Sequence, residues 1–274
     1  PFSMDRNLLH ISYEAGILYT FRMGNTAISW ELGQLDPRRR FAQNRFADDE
    51  NTQFLNNAFD DPSSVNWLSD ASGRQTFGSH MWLDLGEAYR LSWGWFNTSG
   101  QLFKDGQLFV QLAWKGSFRA REVNVRLYGF LDSFTEASAG EEVTGGGISA
   151  DWMLSAKTGL FFRIGANGGE FNPVESDASV GLVVTGLLPS RPDDTFGVAV
   201  GWISLQAVVA GPLAGFAPVE DTELTVEIYY RYVLENGKLQ VTPSLQLIRD
   251  PGGGAAPWQD DLLLLLGLRI FVPF

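Results

Sequence analysis

Apolar residues recur at every second position along most of this chain, and the three-to-four spacing of a helix is hard to find. From Glu223 to Tyr232, Leu224, Val226, Ile228, Tyr230 and Tyr232 fall on one face of an extended strand. Glu223, Thr225, Glu227, Tyr229 and Arg231 fall on the other. The next stretch repeats the pattern, with Leu239, Val241, Leu245 and Leu247 set against Gln240, Thr242, Ser244 and Gln246. Asn236-Gly237 between them is the strongest short-range hairpin signal, so the two strands are antiparallel neighbours. Upstream, Val123, Val125 and Leu127 alternate with Asn124, Arg126 and Tyr128, and Leu160, Phe162 and Ile164 with Phe161, Arg163 and Gly165. Counted this way the chain predicts about 14 strands, within a range of about 12–16, beginning near Gly16. They are joined by short turns such as Met23-Gly24-Asn25 and Ala156-Lys157 or by longer polar loops.

The two faces differ in a way that separates a membrane barrel from a soluble sandwich. One face carries large aliphatics with Trp, Tyr and Phe near the segment ends, as lipid contact and interfacial girdles require. The other is mostly Gly, Ala, Ser, Thr, Gln and isolated charges, suited to a narrow wet lumen. Closure into a barrel satisfies every backbone group without leaving an edge in lipid. The predicted fold class is therefore all-β, a single antiparallel transmembrane β-barrel spanning 1–274, with a long loop at about 36–79. From Asp261 onward, Leu262, Leu264, Leu266, Leu268, Ile270, Val272 and the terminal Phe274 form one lipid-type face. A soluble edge that apolar would be an aggregation hazard. This ending resembles the C-terminal strand of bacterial outer-membrane proteins, a resemblance that implies recognition by the barrel-insertion machinery.

Composition narrows the classes further. Hydrophobic residues make up 45% of 274, charged residues only 19%, and there is no Cys. Soluble chains carry roughly 25% charge. A net charge of −12 argues against a nucleic-acid binder, whose affinity would rest on clustered Lys and Arg. The longest apolar run, Leu262 to Leu268, is far short of the roughly 20 residues of a membrane helix. Pro1 to Arg6 lacks the basic-then-apolar layout of a signal peptide.

Between Leu188 and Val200, with Arg191-Pro192-Asp193-Asp194 at its turn, the chain resembles the carbohydrate-selective porins of the OprB type. The resemblance continues at Glu227-Ile228-Tyr229-Tyr230-Arg231-Tyr232, at the Thr242-Pro243 strand and at Asp250-Pro251-Gly252-Gly253, in matching order and spacing. Phe41 to Asn44 and Ala47 to Phe59 look like the long early loop of that family. The resemblance implies a bacterial outer-membrane location, passive sugar diffusion and no cofactor. Members of the family carry further N-terminal strands, so either a smaller barrel or a piece of a longer chain is expected.

Catalytic chemistry finds little support. The two histidines, His10 and His80, sit in no metal-binding motif, and Cys-His catalysis is excluded. No Gly-x-Ser-x-Gly is present, and Thr144 to Gly147 and Pro251 to Gly254 lack the Lys-Ser/Thr of a phosphate loop. Strand parity instead puts Arg22, Glu31, Asp84, Arg90, Lys115, Arg126, Asp151, Arg163, Glu227, Arg231 and Arg269 inside. A midplane Arg or Lys facing lipid would cost about 2–4 kcal/mol. Tyr128, Phe130, Phe161 and Tyr229 share that parity and offer flat faces to sugars. The early loop carries Arg38-Arg39-Arg40 and Asp48-Asp49-Glu50, the candidate constriction residues, together with Phe54, Leu55, Phe59 and Trp67 to pack it.

These observations lead to a passive, polar-lined channel for small sugars or other hydrophilic solutes, bounded by outer-membrane lipid. The alternatives are a general or ion-selective porin on the same scaffold, and a plugged barrel that anchors the envelope. Monomer and trimer stay equally open.

Overall fold

Period-two alternation becomes thirteen strands in the computed structural model, which describes residues 15–24, 26–65, 76–97, 106–133, 142–169, 172–208, 215–254 and 261–273. The expectations for Pro1 to Arg6, His10, Trp67 and Phe274 concern residues outside that set, as do residues 66–75 of the early loop. The strands are β1 (Ala15–Met23), β2 (Thr26–Leu35), β3 (Thr76–Leu85), β4 (Tyr89–Asn97), β5 (Gly106–Phe118), β6 (Arg121–Ser133) and β7 (Glu142–Met153). They continue with β8 (Thr158–Asn167), β9 (Val174–Thr185), β10 (Thr195–Leu205), β11 (Thr222–Leu234), β12 (Leu239–Arg249) and β13 (Leu262–Phe271). One four-residue helix, α1 (Asn57–Asp60), lies in the long connection after β2.

Each strand pairs antiparallel with its neighbours in sequence, giving one sheet whose edges among the described residues are β1 and β13. Connections alternate between the two ends. One end carries short turns apart from the β9–β10 connection of residues 186–194, and the other carries the longest loops. The Asn-Gly hairpin forms where expected: Leu234 pairs with Leu239, and Asn236 takes φ 56° in the left-handed region that Asn tolerates.

Register carries the charged residues on one face. A continuous row runs Arg22, Ala27, Asp84, Arg90, Ala113, Arg126, Ser149, Arg163 and Ser179 across nine strands. Because the side-chain period is two, all of these point to the same side. The opposite side is apolar and open: Leu266 is 82% exposed and Ile17 76%. Such a surface is a lipid contact, not a water-facing one. Among the described residues no helix is long and apolar enough to cross a membrane.

The core lies on the inner face, under chain that folds back from the β2–β3 connection. Two apolar clusters form there. One joins Leu35, Phe41 and Val65 to Phe96, Phe109 and Phe130 of β4 to β6. The other joins Ala47, Phe54 and Phe59 to Phe161, Ala199, Ile203 and Tyr229 of β8 to β11. Glycines on neighbouring strands make room for the rings. A Cβ on Gly197 would sit 2.2 Å from the Tyr229 ring, and one on Gly181 2.2 Å from Phe161.

Candidate functional site

The segment from Asp36 to Val65 is built to enter the barrel and stay there. Leaving β2, Asp36 accepts a hydrogen bond from Arg38 N at 3.0 Å, and Phe41 N donates back to the Pro37 carbonyl at 3.0 Å. That tight turn aims the Phe41 ring inward, where it stacks on Phe109 at 4.9 Å and meets Phe96 edge-on at 6.0 Å. Further on, Phe54 packs on Tyr229 at 4.9 Å, Phe59 at 5.3 Å and Phe161 at 5.5 Å. Asn56 caps α1 by accepting from Ala58 N at 3.0 Å. Burying each such ring is worth about 1.5–3 kcal/mol.

The barrel wall satisfies the segment's backbone. Glu227 accepts from Leu55 N at 2.9 Å and Asn56 N at 2.9 Å, and Asp177 accepts from Ser64 N at 2.8 Å. Gln111 accepts from Ala42 N at 2.7 Å, while Ser149 donates to the Gln43 carbonyl at 2.8 Å. Arg163, fully buried, donates to the carbonyls of Phe59, Asp60 and Ala42 and pairs with Asp48 at 3.1 Å. Arg269 donates to the carbonyls of Glu50 and Gln53, and Arg231 to that of Thr52. In a low-dielectric interior an unsatisfied backbone group is costly, so these strand residues hold the segment as firmly as its rings do.

The expected lumen set therefore divides. Arg163, Tyr128, Glu227 and Tyr229 are 0–3% exposed, covered by the segment instead of bare to a passing solute. Phe130 and Phe161 are covered too, at 5% and 0%. Arg231 and Arg269 are spent on segment carbonyls. Asp151 lies behind Arg126, which it pairs at 2.9 Å. Covering occurs because aromatics and charges on one face attract a loop with matching rings and backbone donors.

Open space remains between the segment's first turn and β2 to β6. A cavity of about 610 Å³ is lined by Glu31, Arg39, Arg40, Gln43, His80, Trp82, Asp84, Arg90, Gln111 and Arg126, among others. It widens towards the short-turn end into a mouth bordered by Arg22, Asp84, Arg90 and Lys115. Arg40 pairs with Glu31 at 2.6 Å and Arg90 with Asp84 at 2.6 Å, and Arg90 lies over the Trp82 ring at 5.6 Å. His80 stacks on Trp82 at 4.9 Å. Of the candidate constriction residues of the loop, Arg39 and Arg40 reach this cavity. Arg38 turns the other way, to Asp36 at 3.1 Å and Asp61 at 3.8 Å. Together with Asp48, Asp49, Glu50 and Asp60 they border a cleft of about 70 Å³. Burial pushes the Asp61 carboxyl up to about 6 against the opposing pull of Arg38, and raises Asp48 and Asp60 as well.

Parity alone could have found Trp82, His80, Gln111 and Asn124, which share the inner face with Asp84 and Arg126. Nothing local marked Trp82 apart from the chain's other tryptophans. Its neighbour His80 is two residues away on β3, while Arg90 is brought in by the β3–β4 register.

The arrangement is a wall of polar and ion-paired groups around the half-buried Trp82 ring, on which His80 stacks and over which Arg90 lies. The family model for carbohydrate-selective porins, OprB family, matches residues 107–274. Among curated protein sequences none matches. Of solved structures, OprB of Pseudomonas putida is 19% identical, with TM-score 0.69 over 92% of this chain and 70% of that one. OccK11 (OpdR) of Pseudomonas aeruginosa is 12% identical, with TM-score 0.55 over 100% of this chain and 75% of that one. OccK1 (OpdK) of the same organism is 11% identical, with TM-score 0.55 over 94% and 69%. All three share the fold.

Proposed function

The chain belongs to the OprB family of carbohydrate-selective porins, and we propose that its sugars pass between the first turn of the Asp36–Val65 segment and the inner face of β2 to β6. It is a β-barrel porin of the bacterial outer membrane that admits carbohydrates by passive diffusion, a channel rather than an enzyme. The observation that carries the route is the cavity of about 610 Å³, beside a segment that covers the inner face of β8 to β11 and part of β4 to β6. Trp82 presents an apolar face to the sugar ring, and the Arg90–Asp84 and Arg40–Glu31 pairs exchange hydrogen bonds with hydroxyls as a solute replaces water. Arg22, Lys115 and Arg126 line the same route. Arg163, Glu227, Arg231 and Arg269 act one step back, by fixing the segment that sets its width.

The whole chain forms one barrel domain whose edges find strand partners, as lipid demands of every backbone group. The outer face meets lipid through rows such as Leu262, Leu264, Leu266 and Leu268, and the final strand is the part the insertion machinery reads. Liposome swelling tests the route. Glucose enters faster than mannitol, a polyol of similar size without a rigid ring face, and Trp82→Ala removes that advantage. Equal rates for the two solutes in the unaltered protein would mean a general porin.

A further inference from the structure

We propose that this passage prefers monosaccharides bearing a carboxylate, the sugar acids, over neutral sugars, and that Arg39 is the side chain that meets the carboxylate. The inference rests on the route given above and adds the solute's charge. The chain as a whole is −12. The two connected cavities reverse that sign: Arg22, Arg39, Arg40, Arg90, Lys115 and Arg126 line them against Glu31, Asp84 and Glu87.

Pairing does not cancel the excess. Arg40 takes Glu31 and Arg90 takes Asp84, each at 2.6 Å, and Arg126 is matched by Asp151 behind it. Glu122 is shared between Arg45 at 3.1 Å and Lys115 at 3.4 Å, so one carboxylate serves two cations. Arg39 and Arg22 are exposed and have no carboxylate within ion-pair distance among the described residues. Arg39 also borders the acidic cleft, but about 70 Å³ is room for a few waters only, and Arg38 and Arg163 already engage Asp36, Asp61 and Asp48 there. A sugar therefore meets Arg39 from the larger cavity alone. With its ring on Trp82 and its hydroxyls near Gln43 and Ser92, a carboxylate on that sugar has a free guanidinium to pair with. Low-dielectric walls focus the excess positive field along the route and raise the local concentration of anions.

Planar bilayers holding the full chain provide the test. Under a KCl gradient the reversal potential reports chloride preferred over potassium. Added to one side, glucuronate, which keeps the pyranose ring of glucose and adds a carboxylate, half-blocks the current at a concentration about fivefold below glucose, equivalent to about 1 kcal/mol. Arg39→Gln brings the two blocking concentrations together, whereas Arg249→Gln, at the long-loop end, leaves their ratio unchanged. If Arg39→Gln does not assemble, Arg22→Gln lowers the chloride preference instead. Potassium preference, block by glucose at or below the glucuronate concentration, or an unchanged ratio in Arg39→Gln overturns the inference while leaving the sugar route intact. Block by neither solute overturns the route itself.

Discussion

The inner faces of β2 to β6 and of β7 to β13 begin from the same kind of sequence, alternate positions of Gly, Ser, Gln and scattered charge, and end as different surfaces. Across β7 to β13 the charges are consumed by the Asp36–Val65 segment: Arg163 on three of its carbonyls and the Asp48 carboxylate, Glu227 on two amides, Arg231 and Arg269 on its carbonyls. Across β2 to β6 the segment takes fewer of the charges: Arg90 pairs with Asp84 on the wall itself and stays wet, while Glu31 takes Arg40 of the segment. The segment reaches this side along one margin, through Phe41 on Phe96 and Phe109, Ala42 N on Gln111 and Arg40 on Glu31, and leaves the cavity beside it open. A lumen-facing charge thus has two uses, to hold a constriction or to line the path it leaves, and parity alone does not separate them.

Arg163→Ala attacks the covered half hardest. It strips the partner from Asp48 and three carbonyls in a dry site, a loss of about 3–5 kcal/mol from segment seating. Single-channel conductance should rise as the segment loosens, with the barrel still resistant to detergent. Unchanged conductance would show that the segment does not limit flow. A smaller break is Asp177→Ala, which orphans Ser64 N and costs about 1–3 kcal/mol, read as faster protease cleavage within residues 56–65. On the open half, Trp82→Ala changes thermal stability by about 1 kcal/mol or less while altering sugar permeation. A large stability loss there would erase the contrast between the halves.

The smallest effect is on pH. The Asp61 carboxyl, raised by burial to about 6, binds a proton in the folded segment that it releases when exposed near its usual 3.8. Seating is therefore firmer near pH 4 and weakens as pH rises through 6. Amide protection of residues 57–65, corrected for intrinsic exchange, should fall from pH 5 to pH 7, and Asp61→Asn should flatten that slope.

Much of the fold was legible along the chain because strand parity is a local property. Thirteen described strands fall within the expected 12–16, beginning at Ala15, and the hairpin at Asn236-Gly237 sits where two turn residues demand it. Motifs around Arg191 to Asp194 and Glu227 to Tyr232 carried the family. The glycines were harder to read. Gly181 and Gly197 do not leave a channel open, as small residues on a lumen face imply; they seat Phe161 and Tyr229 beneath the segment.

By itself, then, the sequence determined the strands, the outward lipid face and which charges turn inward, since each depends on neighbours one or two residues away. Only the tertiary structure decided which of those charges a solute can meet. Arg163 and Arg126 share parity and one ladder row, yet the first is sealed under Phe59 and Asp60 while the second borders open space. That outcome rests on contacts between residues more than 100 positions apart, Ala42 to Arg163 or Leu55 to Glu227. Such contacts leave no mark on local alternation.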